Sequence, residues 1–390
     1  MTGPLSGLKV LDLSRILAGP TCTQLLADMG ADVIKVENPL TDGDDTRSWG
    51  PPFVTGVDGK ASDLSAYFVC ANRNKRSIAI DLASAEGQKT VRKLAARSNV
   101  LVENFKTGAL KKYGLDYGSL SNASPGLVYC SISGFGQTGP NASKPGYDLM
   151  AQAYGGIMSL TGAPDGEPMK VAVGIADVMC GMYASTGILA ALRHRDQTGE
   201  GQHIDLALVD TQIAWLINEG VNYLTSGDVP QRRGNGHPNI VPYQVFPTRD
   251  GHVVIAVGND GQFSRFAEWI GHPEWAKDPR FVTNPARLSN RDALVDLITE
   301  ALASYEMDAV IAGLEAVGVP VGPVNSLDRV FGSDQVTARN MQICVPCAEA
   351  ASGKVDMIGN PLRFSKTPVS YHRPPPKFGE HTDEILGELE

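Results

Sequence analysis

The sequence predicts a doubly wound α/β fold, and three observations carry that prediction. Apolar strand-like runs alternate with helix-period segments from Leu8 to Gly136. Each strand is separated from the next by a helix, which makes neighbours parallel and covers both faces of the sheet. After residue 226 the texture changes to GDVPQRRGNGHPNIVPY, rich in Gly, Pro and Asn and without a period, which marks a boundary.

Taken in order, LKVLDLS is the first strand, LAGP a turn, PTCTQLLADMGA a helix and DVIKVE the second strand. KRSIAIDL is the third, AEGQKTVRKLAARS a helix, VLVENF a strand, GALKKYGL a helix and LVYCSISGFG a further strand. Ligands of such sheets bind at the carboxyl ends of the strands. Beyond the boundary, YQVFPT and HVVIAVG flank Arg249, Asp250 and Gly251 as a hairpin. RDALVDLITEALASYE follows as a helix, Gly/Pro-punctuated short strands resume near Val319, and HTDEILGELE is a short terminal helix.

The chain of 390 residues is 42% hydrophobic and 20% charged, a globular composition. Its net charge of -9 opposes a general affinity for nucleic acid, which needs basic surface. No apolar run approaches the roughly 20 residues of a spanning helix, and no basic region precedes an apolar core at the amino terminus. Six cysteines are too sparse for a disulfide scaffold and suit a reducing compartment, so a cytoplasmic protein without membrane association is expected. Cys344 and Cys347 form a lone C-x-x-C with no second pair at ligand spacing, and no metal site is expected.

Several chemistries lack their signatures. No G-x-G-x-x-G follows the first strand, and neither G-x-x-x-x-G-K-[ST] nor G-x-S-x-G occurs. Among scattered histidines, His237 in GNGHPN stands out, because glycine-rich loops permit close approach to a ligand. The stretch VAVGIADVMCGMYAS raises a sharper question, since Asp177 is its sole charged residue. It reads either as the cap of the following helix or as a reactive carboxylate, and a helix amino terminus would keep it ionised for either role. Gly174, Gly181, Ala184 and Gly187 leave room beside it.

LDLSRILAGPTCTQLLADMGADVIKVENP, GDDTRSWGPPF, NRNKRSIAIDL, LVENFKTGALKKYGL, SISGFGQTGP and GYDLMAQA, with the stretch around Asp177, resemble the family III CoA-transferases. Motif order and spacing match from Leu5 to Leu389. GDDTRSWGPPF, GNGHPNIVPYQVF, GVPVGPVNS and RPPPKFGEHTDEIL look most like the succinyl-CoA:glutarate CoA-transferase branch. The resemblance implies a Rossmann-like large domain built from residues 1–225 and 326–390, an inserted α+β small domain at 226–325, and an interlocked homodimer. It implies a CoA thioester as substrate, no tightly bound cofactor, and a small carboxylic acid as acceptor.

By the same resemblance Asp177 is the nucleophile, and Ala18, Ile80, Leu82, Asn104, Phe105 and Tyr147 line the CoA site. Arg15, Leu17, Asn38 and Lys112 occupy lining positions where formyl-CoA transferases carry other residues. Losing an arginine at Asn38 loses a phosphate fork, leaving Lys75, Arg76, Lys106 and Lys144 as candidates for the 3'-phosphate. Branch-like runs suggest a dicarboxylate held by Arg47, Arg232, Arg233 or His237, and oxyanion donors at Gly234, Gly236 or the amides near Ala18. Asp148 is either an orienting acid or a surface one. A racemase of the same fold is the nearest rival, but it needs an acid and a base about one carbon, and Tyr147 stands where those relatives have histidine. A silent CoA-binding protein is the rival from another class.

Overall fold

The computed structural model describes residues 3–390 and is built on a six-stranded, wholly parallel sheet. Its strands are β1 (Lys9–Asp12), β2 (Asp32–Glu37), β3 (Lys75–Ala79), β4 (Val100–Glu103), β5 (Val128–Ser133) and β6 (His203–Ala207). In space the order is β3-β2-β1-β4-β5-β6, so the winding reverses between β1 and β4. That crevice is where doubly wound sheets bind ligands. β2, β4 and β5 are buried almost throughout, because helices cover both faces; β4 and β5 are largely apolar, while β2 carries Asp32, Lys35 and Glu37, each paired with an opposite charge.

Helix α1 (Ala18–Asp28) follows β1, and α2 (Ala85–Ala96) starts at Ser84, whose hydroxyl accepts from the Gly87 amide. α3 (Asp148–Tyr154) leads to the long α4 (Ile175–Thr198), and β6 is followed by α5 (Leu208–Ala214) and α6 (Ile217–Ser226). α1 and α4 pack so closely that a Cβ at Gly181 would stand 2.7 Å from the Ala18 carbonyl oxygen. By length and composition α4 is apolar enough to cross a bilayer, although the sequence offers no uninterrupted apolar run there, and half of its apolar stretch is buried within the fold. Its Ala176, Cys180, Ala184 and Ile188 are buried in one cluster with Cys22 of α1 and Val128 and Cys130 of β5.

The expected helix over GALKKYGL is a correction: only one tight turn, Lys111–Tyr113, forms there. Gly108 and Gly114 adopt φ of +76° and +64°, and the few residues between them are too short to nucleate an α-helix.

Edge strand β3 is closed by a distant segment of chain. The Ser77 amide donates to His381 Nδ1 and the Ser77 carbonyl accepts from the His381 amide, while the Ala79 amide donates to Thr382 Oγ1. Arg76 forks onto Asp32 and reaches Glu384 and Glu388 at the start and end of α7 (Thr382–Gly387).

The chain divides into two compact units. The first takes the chain up to Met158, Lys170–Asp228 and Gln335–Glu390. The second takes Ser159–Met169 and Val229–Asp334, so it also recruits a stretch before α4 that the sequence assigned elsewhere. Its three-stranded antiparallel sheet contains the expected hairpin, Tyr243–Pro247 with His252–Ala256, flanked by Val321–Pro323. Phe246, Phe263, Phe266, Phe281, Leu294 and Ile298 fill its core. Within that core Arg287 is wholly buried and is satisfied by the Val241 and Phe281 carbonyls and Asp260.

Candidate active site

At the reversal point one side chain ties the diverging loops together through two hydrogen bonds. Asn104, just after β4, accepts from the Arg15 amide at 2.9 Å and donates to the Arg15 carbonyl at 2.7 Å. A cavity of about 330 Å³ opens beside this clamp, walled by the ends of β1, β4 and β5. Arg15, Leu17, Ala18, Asn104, Phe105, Lys144, Tyr147 and Asp177 all line it. The structure therefore gathers eight residues that the sequence placed at the reaction site. Ile16, Lys106, Thr107, Ser133, Gly134 and Pro145 complete much of the wall. A second cavity of about 270 Å³ lies at the ends of β1 and β2 and contains Ile80, Leu82 and Asn38, with Arg15 and Phe105 shared between the two.

Asp177 is 8% exposed and stands third in α4, not at its cap. The capping reading fails because another acid does that work. Asp148 Oδ1 accepts from the Ala176 amide at 2.8 Å and from the Asp177 amide at 3.4 Å, and its Oδ2 accepts from Gln152 Nε2 at 2.7 Å. Gln152, wholly buried, in turn accepts from the Val171 amide, fixing the strand of chain that enters α4. Asp148 is thus an orienting acid.

The expectation that helix amides hold Asp177 ionised is also overturned. Burial first, and the neighbouring Asp148 carboxylate second, push its pKa up to about 7. The amides that would have offset this are already spent on Asp148.

Several expected ligands prove to be committed elsewhere. Arg47 is buried, lays its fork on Glu37 at 2.8 and 2.7 Å, donates to the Pro376 carbonyl and stacks 3.8 Å over the Phe68 ring. Its Nη1 is turned to Asp63 at 3.4 Å, and Arg47 lines neither of the two cavities, so it is not placed to hold a distal carboxylate. Lys75 is sealed against Asp12, Asn72 and the Pro20 carbonyl, and Arg76 against three carboxylates, so neither reaches a phosphate. Lys112 lines neither of the two cavities and rests over the Tyr113 ring, because the turn that replaced the helix carries it outward. Lys106 and Lys144 remain at the first cavity as exposed cations.

Gly234, Gly236 and His237 belong to the second unit. The Gly234 amide donates to the Gly162 carbonyl and the Gly236 amide to the Arg233 carbonyl, so both proposed oxyanion donors are occupied. His237 Nδ1 accepts from the Asn239 amide, and its ring leans on Tyr243. Arg232 donates to the Ala163 and Gly166 carbonyls.

Sequence reasoning missed two features. Ile16 has φ +71°, a left-handed backbone that a β-branched residue rarely adopts, and nothing in its identity announces it. Lys35 and Asp44 form an ion pair at 2.8 Å with both side chains 1% exposed. An alternating charge in DVIKVE is the only trace of it in the sequence.

The family model described as CoA-transferase family III matches residues 5–382. A protein of Agrobacterium fabrum named succinate–glutarate CoA-transferase is 50% identical over 99% of this chain and 96% of its own length. The human succinyl-CoA:glutarate CoA-transferase is 40% identical over 99% of this chain and 86% of its own. A crystal structure of a CaiB/BaiF family protein from Brucella suis superposes with a TM-score of 0.91 at 48% identity, covering all of both chains. With a family model spanning nearly the whole sequence and relatives of this identity, the chain belongs to CoA-transferase family III.

Proposed function

We propose that this enzyme moves CoA from succinyl-CoA to glutarate or a related dicarboxylate through a thioester on Asp177. The observation that carries the mechanism is a nearly buried carboxylate opening into the cavity at the sheet's reversal point. The names of the Agrobacterium and human relatives support the substrate pair.

Ionised Asp177 attacks the thioester carbonyl, expelling CoA thiolate and leaving a mixed anhydride. The thiolate attacks the aspartyl carbonyl, releasing the first carboxylate and forming the aspartyl-CoA thioester. The acceptor carboxylate attacks that carbonyl, expels the thiolate again, and receives it on its own acyl carbon as Asp177 is regenerated. Thioester is exchanged for thioester, so no external energy source enters the balance. α1 has no side-chain cap, so its first amides lack intrahelical acceptors, and that of Ala18, which lines the cavity, is the candidate donor to the developing oxyanions. A proton-shuttling racemase is disfavoured because no histidine lines the cavity.

The subunit acts as an interlocked homodimer in the cytoplasm on this reading. Support for the dimer comes from Met182, Tyr183, Ile213, Trp215, Ile217, Val221 and Leu224, large apolar side chains exposed along α4, α5, α6 and the link between the last two. Six free thiols support the compartment.

The test is incubation with succinyl-CoA and hydroxylamine, then trypsin and mass spectrometry. A hydroxamate on the peptide containing Asp177 is expected, and a modified acid elsewhere refutes the mechanism. A panel of free acids tests the substrate: equal turnover of butyrate and glutarate refutes the dicarboxylate assignment.

A further inference from the structure

The run GDDTR, Gly43–Arg47, stood out in the sequence as a candidate for substrate contact, yet its arginine is locked on Glu37. Its acids do something else. The turn leaving β1 is held at three successive residues: the Ser14 carbonyl accepts from Lys35 Nζ at 2.8 Å, Arg15 is clamped by Asn104, and the Ile16 amide donates to both Asp44 oxygens at 3.2 Å. The next acid, Asp45, takes the Arg15 guanidinium at 2.7 Å. Asp44 itself is anchored by Lys35 and by its own amide on Glu37 Oε2.

This grip coincides with the left-handed Ile16. Strain of that kind persists only where the surroundings over-determine it, and here they do so through a charged acceptor. Burying an ion pair is a poor way to gain stability compared with packing apolar side chains, which points to a use for the charge. The two residues that follow, Leu17 and Ala18, line the Asp177 cavity and open α1. They also touch α4 and its approach on either side of Asp177. A Cβ at Gly174 would meet Leu17 Cδ2 at 3.0 Å, and one at Gly181 would meet the Ala18 oxygen.

We propose that Asp44, backed by Lys35, is a positioning residue: it holds Ile16 in its left-handed turn and so sets Leu17 and Ala18 against Asp177 for acyl transfer. The proposal rests on reading the Asp177 cavity as the place where the acyl group is transferred. Asp44 also stands in the wall of the second cavity, but in this role it acts through the turn and not by contact with the reacting groups. Against the desolvation that burial imposes, the Lys35 ammonium keeps the Asp44 carboxyl below its ordinary range, so the acceptor is charged throughout the working pH.

The experiment is a double-mutant cycle between Asp44→Asn and Ile16→Gly, read as kcat and KM for acyl-CoA. With Ile16 present, Asp44→Asn should lower kcat about 30- to 100-fold, the size of effect expected when reacting groups are displaced by about an ångström, with a much smaller change in KM. In the Ile16→Gly background the same substitution should cost no more than about threefold, because glycine takes a left-handed φ without a restraint. Equal losses in both backgrounds would overturn the proposal. Should Asp44→Asn fail to fold alone, a folded double variant with the turnover of Ile16→Gly supports it, and a double variant that also fails to fold overturns it. Any acyl-CoA and acid pair that turns over serves for the cycle. Asp177→Asn is run alongside: if it stays active the nucleophile assignment falls, while the coupling between Asp44 and Ile16 is still read.

Discussion

Replacing Asp177 by Asn should abolish transfer and at the same time stabilise the protein, increasingly so as pH rises. The magnitude follows from the site. Asp177 has its ordinary value of 3.8 in the unfolded chain and about 7 in the fold, where burial and then Asp148 disfavour its charge. At about 1.4 kcal/mol per pH unit, the ionised form costs the fold about 4 kcal/mol. A carboxyl whose pKa is raised on folding contributes fully below its unfolded value, and that contribution is lost as pH climbs through the folded one. Wild type therefore loses stability between pH 4 and 7 from this group, and the Asn variant does not. New contacts of the amide shift the comparison by a constant, so the useful quantity is its slope. The stability difference, variant minus wild type, should be about 3 kcal/mol larger at pH 8 than at pH 5. Urea unfolding of both proteins at pH 5, 6, 7 and 8 measures it, and titrating groups that do not interact with Asp177 cancel in the difference. A difference that does not change with pH would mean that Asp177 is not a desolvated acid, and the account of its environment would be wrong.

The same environment predicts that kcat/KM falls about tenfold for each pH unit below 7, as the nucleophile takes up a proton. Asp148→Asn removes the neighbouring charge but keeps an oxygen for the Ala176 amide, so the acid limb of that profile should move to lower pH while the fold survives. Arg47→Met leaves Glu37 buried without its fork and should cost about 3–5 kcal/mol in chemical denaturation, with the ratio of glutarate to butyrate turnover unchanged. Gly181→Ala should cost about 1–3 kcal/mol and lower kcat, since the new methyl presses on the Ala18 carbonyl; an unchanged melting temperature would show that α1 and α4 have slack.

The strands were legible because both faces of the sheet are covered, which leaves largely apolar runs such as VLVE and VYCSIS. GALKKYGL misled because its apolar spacing fits a helix while Gly108 and Gly114 end the segment on both sides. Asp177 announced itself as one acid among small and apolar residues. Its raised pKa did not, because the group that takes the helix amides sits 29 residues earlier in the chain. Arg47 looked available in a loop rich in Gly and Pro, and only the fold brings Glu37 beneath it. Ile16 was invisible for the same reason: its residue type forecasts extended backbone, and Asp44, 28 residues on, together with Asn104 holding the preceding Arg15 from 89 residues away, overrides that preference.

The closure of β3 by His381 and Thr382 bears on how the chain is made. Ser77 meets its partner 304 residues later. At about 5 to 20 residues per second, a ribosome takes about 15 to 60 s to supply that partner after Ser77 has been synthesised. During that interval the nascent sheet shows an unpaired strand edge, the kind of surface that recruits other chains. Messages truncated just before this segment should therefore yield aggregates rather than a smaller soluble enzyme, and holdase chaperones should matter most in the last minute of translation.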